Sequence, residues 1–228
     1  MKKIGIIAAM SKELNLLLPL MTDIATTVAN GFEFHSGLIA GHEVVAMQCG
    51  IGKVNASIGC MTMIDRFAPD IIINTGVAGG TGAAAHVMDI VVADAIGYHD
   101  VWCGPGTQWG EAAGCPATFA TPASLLALPC LQNRPDVKFG LVASGDIFVD
   151  SADVVSRILA LYPQALAVDM ESAALAQTCY LRGVPFLCMR VVSDTPGAVD
   201  DNAAQYCNFW DDAPRHAFQL VTEIINDL

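Results

Sequence analysis

Three carboxylates stand where apolar runs stop: Glu13 after Ile4-Gly-Ile-Ile-Ala-Ala-Met10, Glu171 within Ala167-Val-Asp-Met-Glu-Ser172, and Asp194 closing Pro185-Phe-Leu-Cys-Met-Arg-Val-Val-Ser-Asp194. Two carboxylates in different environments can divide general acid and general base work, because burial and neighbouring charge move their pKa values apart. Any one of these acids taken alone is accounted for as a helix cap or a solvated loop residue. Found together at comparable ends they point to a common rim, since ligands of open, mostly parallel sheets bind outside the carboxyl ends of the strands. Glycines gather at similar ends, at Gly50, Gly52, Gly76, Gly79, Gly80 and Gly145, where they let the backbone approach a ligand.

The scaffold expected to hold these residues alternates strands and helices. An apolar strand over 3–9 leads into a helix opened by Met10-Ser11-Lys12-Glu13, with Glu13 in the first turn. Segments 32–38 and 42–48 read as an antiparallel pair, and a helix runs from Gly50-Ile-Gly-Lys-Val to about residue 67. Strands are expected at 70–76, closing in Val77-Ala-Gly-Gly80, and at 89–94, 139–143, 165–168 and 185–192. Helices are expected at 151–161, 170–181 and 213–227. Residues 98–120 form a long Gly-, Pro- and aromatic-rich loop, and a loop of that length in a compact domain is usually functional. The fold class expected is α/β: a single domain, 1–228, with a central mixed, partly parallel twisted sheet flanked by helices.

Composition narrows the ligand. The chain is 54% hydrophobic and only 15% charged, which leaves apolar surface for another subunit to cover and implies a homo-oligomer. A net charge of −12 with 11 Lys plus Arg argues against nucleic acid and against an anionic membrane surface. A neutral or zwitterionic small molecule fits better. The eight Cys show no CxxC or zinc-knuckle spacing, so reduced thiols, with no metal, are expected. No segment matches GxGxxG or a Walker loop, which removes support for dinucleotides and nucleoside triphosphates, and no cofactor is expected. Lys2-Lys3 and the following apolar run meet Lys12 and Glu13 too soon for a signal peptide. With no run long enough to span a bilayer, the compartment expected is the cytoplasm.

Several segments occur in a telling order: Gly5-Ile-Ile-Ala-Ala-Met-Ser-Lys-Glu13, Gly50-Ile-Gly-Lys53, Asn74-Thr-Gly-Val-Ala-Gly-Gly80, Tyr98-His-Asp100, Gly114-Cys-Pro116, Ser144-Gly-Asp-Ile-Phe148, Val168-Asp-Met-Glu-Ser172 and Val192-Ser-Asp194. The set resembles the 5'-methylthioadenosine/S-adenosylhomocysteine nucleosidases, which belong to the nucleoside phosphorylase superfamily and hydrolyse the bond between adenine and ribose. The resemblance implies a nucleoside phosphorylase-like fold and an adenine nucleoside substrate. It implies that Asp194, oriented by Ser193, protonates adenine N7, and that Glu13, with Arg190 close by, is the general base for water. Glu171 with Met170 would hold the ribose, Phe148 would stack on adenine, the backbone at Val149 would read the base edge, and Val77 and Ala78 would lie under the site. It further implies a homodimer in which loop 98–120 helps close the 5' pocket of the partner.

The departures are specific. Val77 stands where Ser or Thr is usual and removes a hydroxyl near the water; Asp169 replaces a common Glu; Val101-Trp-Cys-Gly-Pro-Gly106 and Thr195-Pro-Gly-Ala-Val-Asp-Asp-Asn202 are atypical. Either Tyr206 or Phe209 could be the aromatic near the 5' group. Two alternatives stay open: a purine nucleoside phosphorylase, although Ala8-Ala-Met-Ser-Lys-Glu13 lacks the Gly-Asp-Pro-x-Arg pattern of those enzymes, and a nucleoside-binding protein with weak activity.

Overall fold

In the computed structural model, residues 1–82, 84–197, 206, 207, 209 and 215–228 are described, with 215–218 as backbone only. The expectations at 198–202 and at the start of the last helix lie outside these residues.

The first buried apolar run forms β1 (Lys3–Ala8), which feeds α1 (Ser11–Leu17). A hairpin follows, β3 (Phe32–Ile39) and β4 (His42–Gln48), paired antiparallel through a two-residue turn in which Ala40 and Gly41 both have positive φ. That geometry suits the right-handed twist of the strands it joins. After α2 (Lys53–Phe67) comes β5 (Ile71–Gly80), then β6 (Ile90–Tyr98), β7 (Thr118–Ala120) and the short α3 (Ala123–Leu126). The order closes with β8 (Val137–Ser144), α4 (Ala152–Leu161), β9 (Ala165–Asp169), α5 (Ser172–Arg182), β10 (Phe186–Asp194) and α6 (Arg215–Asp227).

Three elements escaped the sequence reading: the short β7 and α3, and one full-length strand. Strand β2 (Thr22–Ala29) pairs with β3 at the sheet's edge, and seven of its eight residues are exposed. Without a buried face it carries no alternation to detect. Boundaries also moved. Strand β5 continues through Gly80 and β6 through Tyr98, so the long loop spans 99–117, and α5 starts at Ser172, which leaves Met170 and Glu171 in the turn before it.

The sheet is mixed, as expected, and strand order β10-β6-β8-β9-β5-β1-β4-β3-β2 is supplemented by a parallel β10–β5 pairing. The strands β5, β10, β6, β8 and β9 therefore close on themselves, while β1, β4, β3 and β2 extend outward from β5. Helices α2 and α5 cover one face, where Cys60, Met63, Leu175 and Cys179 are wholly buried. Helices α1 and α6 cover the other with Leu17, Leu220 and Ile224, and α4 packs on β8 and β9 through Val155 and Ile158. Burial of these apolar faces holds the rim where β1, β5, β9 and β10 end in one place. Among the described residues no helix is long and apolar enough to cross a membrane.

Candidate active site

Glu13 is 1% exposed and held by three backbone amides. Its Oε2 accepts the N–H groups of Ala9 and Met10, both at 2.9 Å, and Oε1 accepts Val77 N–H at 2.9 Å. The helix-cap explanation is thus half true: Glu13 does serve its own first turn through Met10, but it also reaches across to β5. Gly76 makes this approach possible, because a Cβ there would strike the Glu13 carboxylate and an Arg190 nitrogen. Burial raises the Glu13 pKa, against the lowering influence of Arg190 and the three amides. A carboxylate made more basic by burial is suited to take a proton. Since Oε2 already accepts two bonds and Oε1 one, Oε1 has the spare lone pair.

Asp194 is the last residue of β10 and is 3% exposed. Its Oδ1 accepts the Ser193 hydroxyl at 2.5 Å. Glu171 follows β9 and accepts Gly52 N–H on Oε1 at 2.9 Å. Helix capping at this turn falls to Asp169, whose carboxylate accepts Ser172 N–H at 3.1 Å, so Glu171 is left for the cavity. Burial, with the neighbouring Asp169 charge, pushes the Glu171 pKa up to about 7.

Behind the three acids lies Arg190, wholly buried. It pairs with Asp169, donates to Asn74 Oδ1 at 2.7 Å and to Ser172 Oγ at 3.0 Å, and stands 3.8 Å from Glu171 Oε2. Burial works against its charge, but the carboxylates of Asp169, Glu171 and Glu13 outweigh that and keep the guanidinium pKa above its usual value. Asn74 is itself fixed by donating to Ile7 O at 2.9 Å. Expected close to Glu13, Arg190 lies behind the cavity wall, wholly buried, and its charge acts on the site through Glu13 and Glu171.

The cavity these groups face encloses about 610 Å³ including its open mouth. Glu13, Val77, Ala78, Phe148, Val149, Met170, Glu171, Ser193 and Asp194 all line it, so every other sequence-derived candidate is gathered in one place. Phe148 is 48% exposed, which removes a core role for it. Tyr206 lines the cavity, its ring set edge-on to Phe148 with centroids 5.9 Å apart, whereas Phe209 is buried in the apolar core. The open choice between these aromatics falls to Tyr206. Sequence reasoning gave no role to Asn74, Ser172 or Met10, although each stands inside a segment quoted for the resemblance. Among the described residues no group of three or more His, Cys, Asp or Glu is arranged to hold a metal ion.

The Phosphorylase superfamily profile matches residues 3–226. The 5'-methylthioadenosine/S-adenosylhomocysteine nucleosidase of Aeromonas salmonicida is 37% identical over 231 residues, covering 99% of this chain and 100% of that one. The chain belongs to this nucleosidase family. Solved nucleosidase structures agree along the whole length. S-adenosylhomocysteine nucleosidase from Streptococcus pyogenes, in complex with 5-methylthiotubericidin, has a TM-score of 0.94 at 33% identity and covers 100% of this chain and 97% of its own. The nucleosidase from Neisseria meningitidis, in complex with methylthio-immucillin-A, has a TM-score of 0.93 at 34% identity with 100% of both chains covered.

Proposed function

We propose that this nucleosidase-family chain hydrolyses the N-glycosidic bond of 5'-substituted adenine nucleosides and releases adenine. The observation that carries the reading is one cavity lined by Glu13, Glu171 and Asp194 together with the half-exposed Phe148. Breaking this bond generates an oxocarbenium-like sugar and a poor leaving group, so it needs a proton for the base and an activated water for the sugar. Asp194, steadied by Ser193, is the acid toward adenine N7. Glu13 is the base, through Oε1. Glu171 accepts the 2' and 3' hydroxyls, with Met170 beside it. Phe148 stacks on adenine and the Val149 backbone reads its edge.

Water rather than phosphate is the nucleophile in this reading. A phosphate needs cations or a nest of amides, and the described wall contains no Lys or Arg, while the amides of Ala9, Met10 and Val77 are already taken by Glu13. Adenine release from methylthioadenosine, assayed with and without phosphate, tests this. Release that requires phosphate would make the chain a phosphorylase, and binding without release would make it a nucleoside-binding protein.

The working form is a homodimer whose partner loop, from residues 98–120, closes the 5' side. Open cavity geometry and exposed apolar residues around the mouth support it. A cytoplasmic setting suits the eight free cysteines, which a reducing compartment keeps unpaired.

A further inference from the structure

The loop that carries Phe148 and Val149 leaves β8 at Ser144, and the half-exposed Phe148 does not anchor it by burial. Val149 anchors its far end in the apolar cluster with Val155 and Ile158, and polar groups tether its near end. Asp146 N–H donates to Asp100 Oδ2 at 2.8 Å, and the same oxygen accepts Lys53 Nζ at 2.8 Å. Asp146 Oδ1 in turn accepts the backbone N–H of Lys53 at 2.8 Å, the first residue of α2. The neighbouring amide, Gly52 N–H, is the one that holds Glu171. Two successive amides at the start of α2 thus fix the ribose acid and the base loop respectively.

The parts fit closely. Gly52 has φ +95°, and a Cβ on it would press on Asp146; a Cβ on Gly145 would strike His99 and Asp100. Lys53 and Asp100 side chains are 23% and 15% exposed, so their pair is sheltered from water and stronger than a surface ion pair. Lys53 Nζ also lies 5.4 Å from the centroid of the Tyr98 ring. Asp100 Oδ1 is buried with no hydrogen-bond partner among the described residues, a cost that the two bonds at Oδ2 offset.

We infer that Lys53, Asp100 and Asp146 form an ionic clasp that sets the base-binding loop against α2, which makes them positioning residues for adenine recognition; this rests on the nucleosidase reading above. The contacts they secure are made in substrate and transition state alike, so their loss raises KM more than it lowers kcat.

The test pairs kinetics on methylthioadenosine with calorimetry of adenine alone. Lys53→Met is expected to raise KM and adenine Kd about tenfold, with kcat within about twofold of the parent. Lys53→Arg should recover most of that loss. Combining Lys53→Met with Asp146→Ala should add little to either alone, because both open the same clasp. Parental KM and adenine affinity in a folded Lys53→Met, or fully additive losses in the double variant, overturn the clasp. If Lys53→Met does not fold, Asp146→Ala carries the same expectation, and an unchanged adenine affinity there overturns it equally. A parent protein that neither binds adenine nor releases it sinks the nucleosidase reading and the clasp together, whereas an active parent with insensitive variants sinks the clasp alone.

Discussion

Glu13 and Asp194 are distinguished by what surrounds them rather than by residue type. Every oxygen of Glu13 faces an amide donor. In Glu13→Gln the carbonyl can satisfy Ala9 and Met10, but the new amide nitrogen then points at Val77 N–H, donor against donor, and no base remains. Hydrolysis should be lost while calorimetry still detects nucleoside; loss of binding as well would withdraw the base assignment. Asp194→Asn should lower turnover by about 10² to 10⁴, the usual share of a general acid. A folded variant within a few-fold of the parent would take Asp194 out of the mechanism. Glu171 adds a pH signature. Its pKa of about 7 in the folded, unliganded protein lies above the ordinary carboxylate value, so the protonated form is favoured on folding. Its contribution to stability is complete below the unfolded pKa and is lost as pH rises through about 7. Accepting two ribose hydroxyls favours the ionised form, so KM should rise as pH falls below that value and nucleoside binding should release a proton. A KM that is flat from acid to neutral pH, or one that still varies in Glu171→Gln, would refute this role.

At the scale of elements, β5 serves more of the site than any other strand. It gives Gly76 as the gap beneath Glu13, Val77 N–H as a ligand to Glu13, and Val77 and Ala78 as cavity wall. The backbone bond to Glu13 does not depend on the side chain, so the family's usual hydroxyl can be restored without disturbing the base. Val77→Ser should therefore raise turnover more than it changes affinity, by the about 0.5–1.5 kcal/mol of one neutral hydrogen bond. Val77 also packs in the apolar cluster of α1 and α6, and that lost contact should appear as a lower melting temperature. Turnover unchanged or lowered in a well-folded Val77→Ser would show that other groups position the water. The legibility of elements followed burial. Strands β1 and β10 are almost wholly buried apolar runs and were plain in the sequence, whereas exposed β2 was not. Closure of β10 onto β5 pairs residues over a hundred positions apart, such as Cys188 with Asn74, and no local periodicity encodes it. The three acids that line the cavity were legible because each stands at the end of an apolar run. The network behind them was not, since Asn74 and Ser172 are small polar residues whose partners become neighbours only when the sheet closes.

Among the described residues the molecule exposes apolar side chains beside the cavity. Around the cavity mouth Ile51, Ile147 and Phe148 are 52%, 47% and 48% exposed, and along α2 Val54 and Ile58 are 69% and 49% exposed. Val54 and Ile58 are four apart and share one side of the helix; Ile58 continues into a groove with Met61 and Leu181, the latter 64% exposed. Exposed apolar residues gathered in this way mark a protein interface, and because Ile51 lines the cavity just before α2 begins, a partner seated there would also roof the site. Loop 99–117 has a rigid feature to offer there: Trp102 and Trp109 stack with centroids 6.1 Å apart, and Trp109 Nε1 donates to His99 O at 3.1 Å. The homodimer should therefore be seen by sedimentation at assay concentrations. Val54→Lys with Ile58→Lys should split it, because two desolvated ammonium groups at an apolar contact are strongly unfavourable. The split protein should keep adenine affinity, which depends on loop 145–149, yet lose affinity for the 5'-substituted nucleoside, whose 5' group would face water. Full activity from a species that sediments as a monomer would overturn both the dimer and the roofing role of the partner loop.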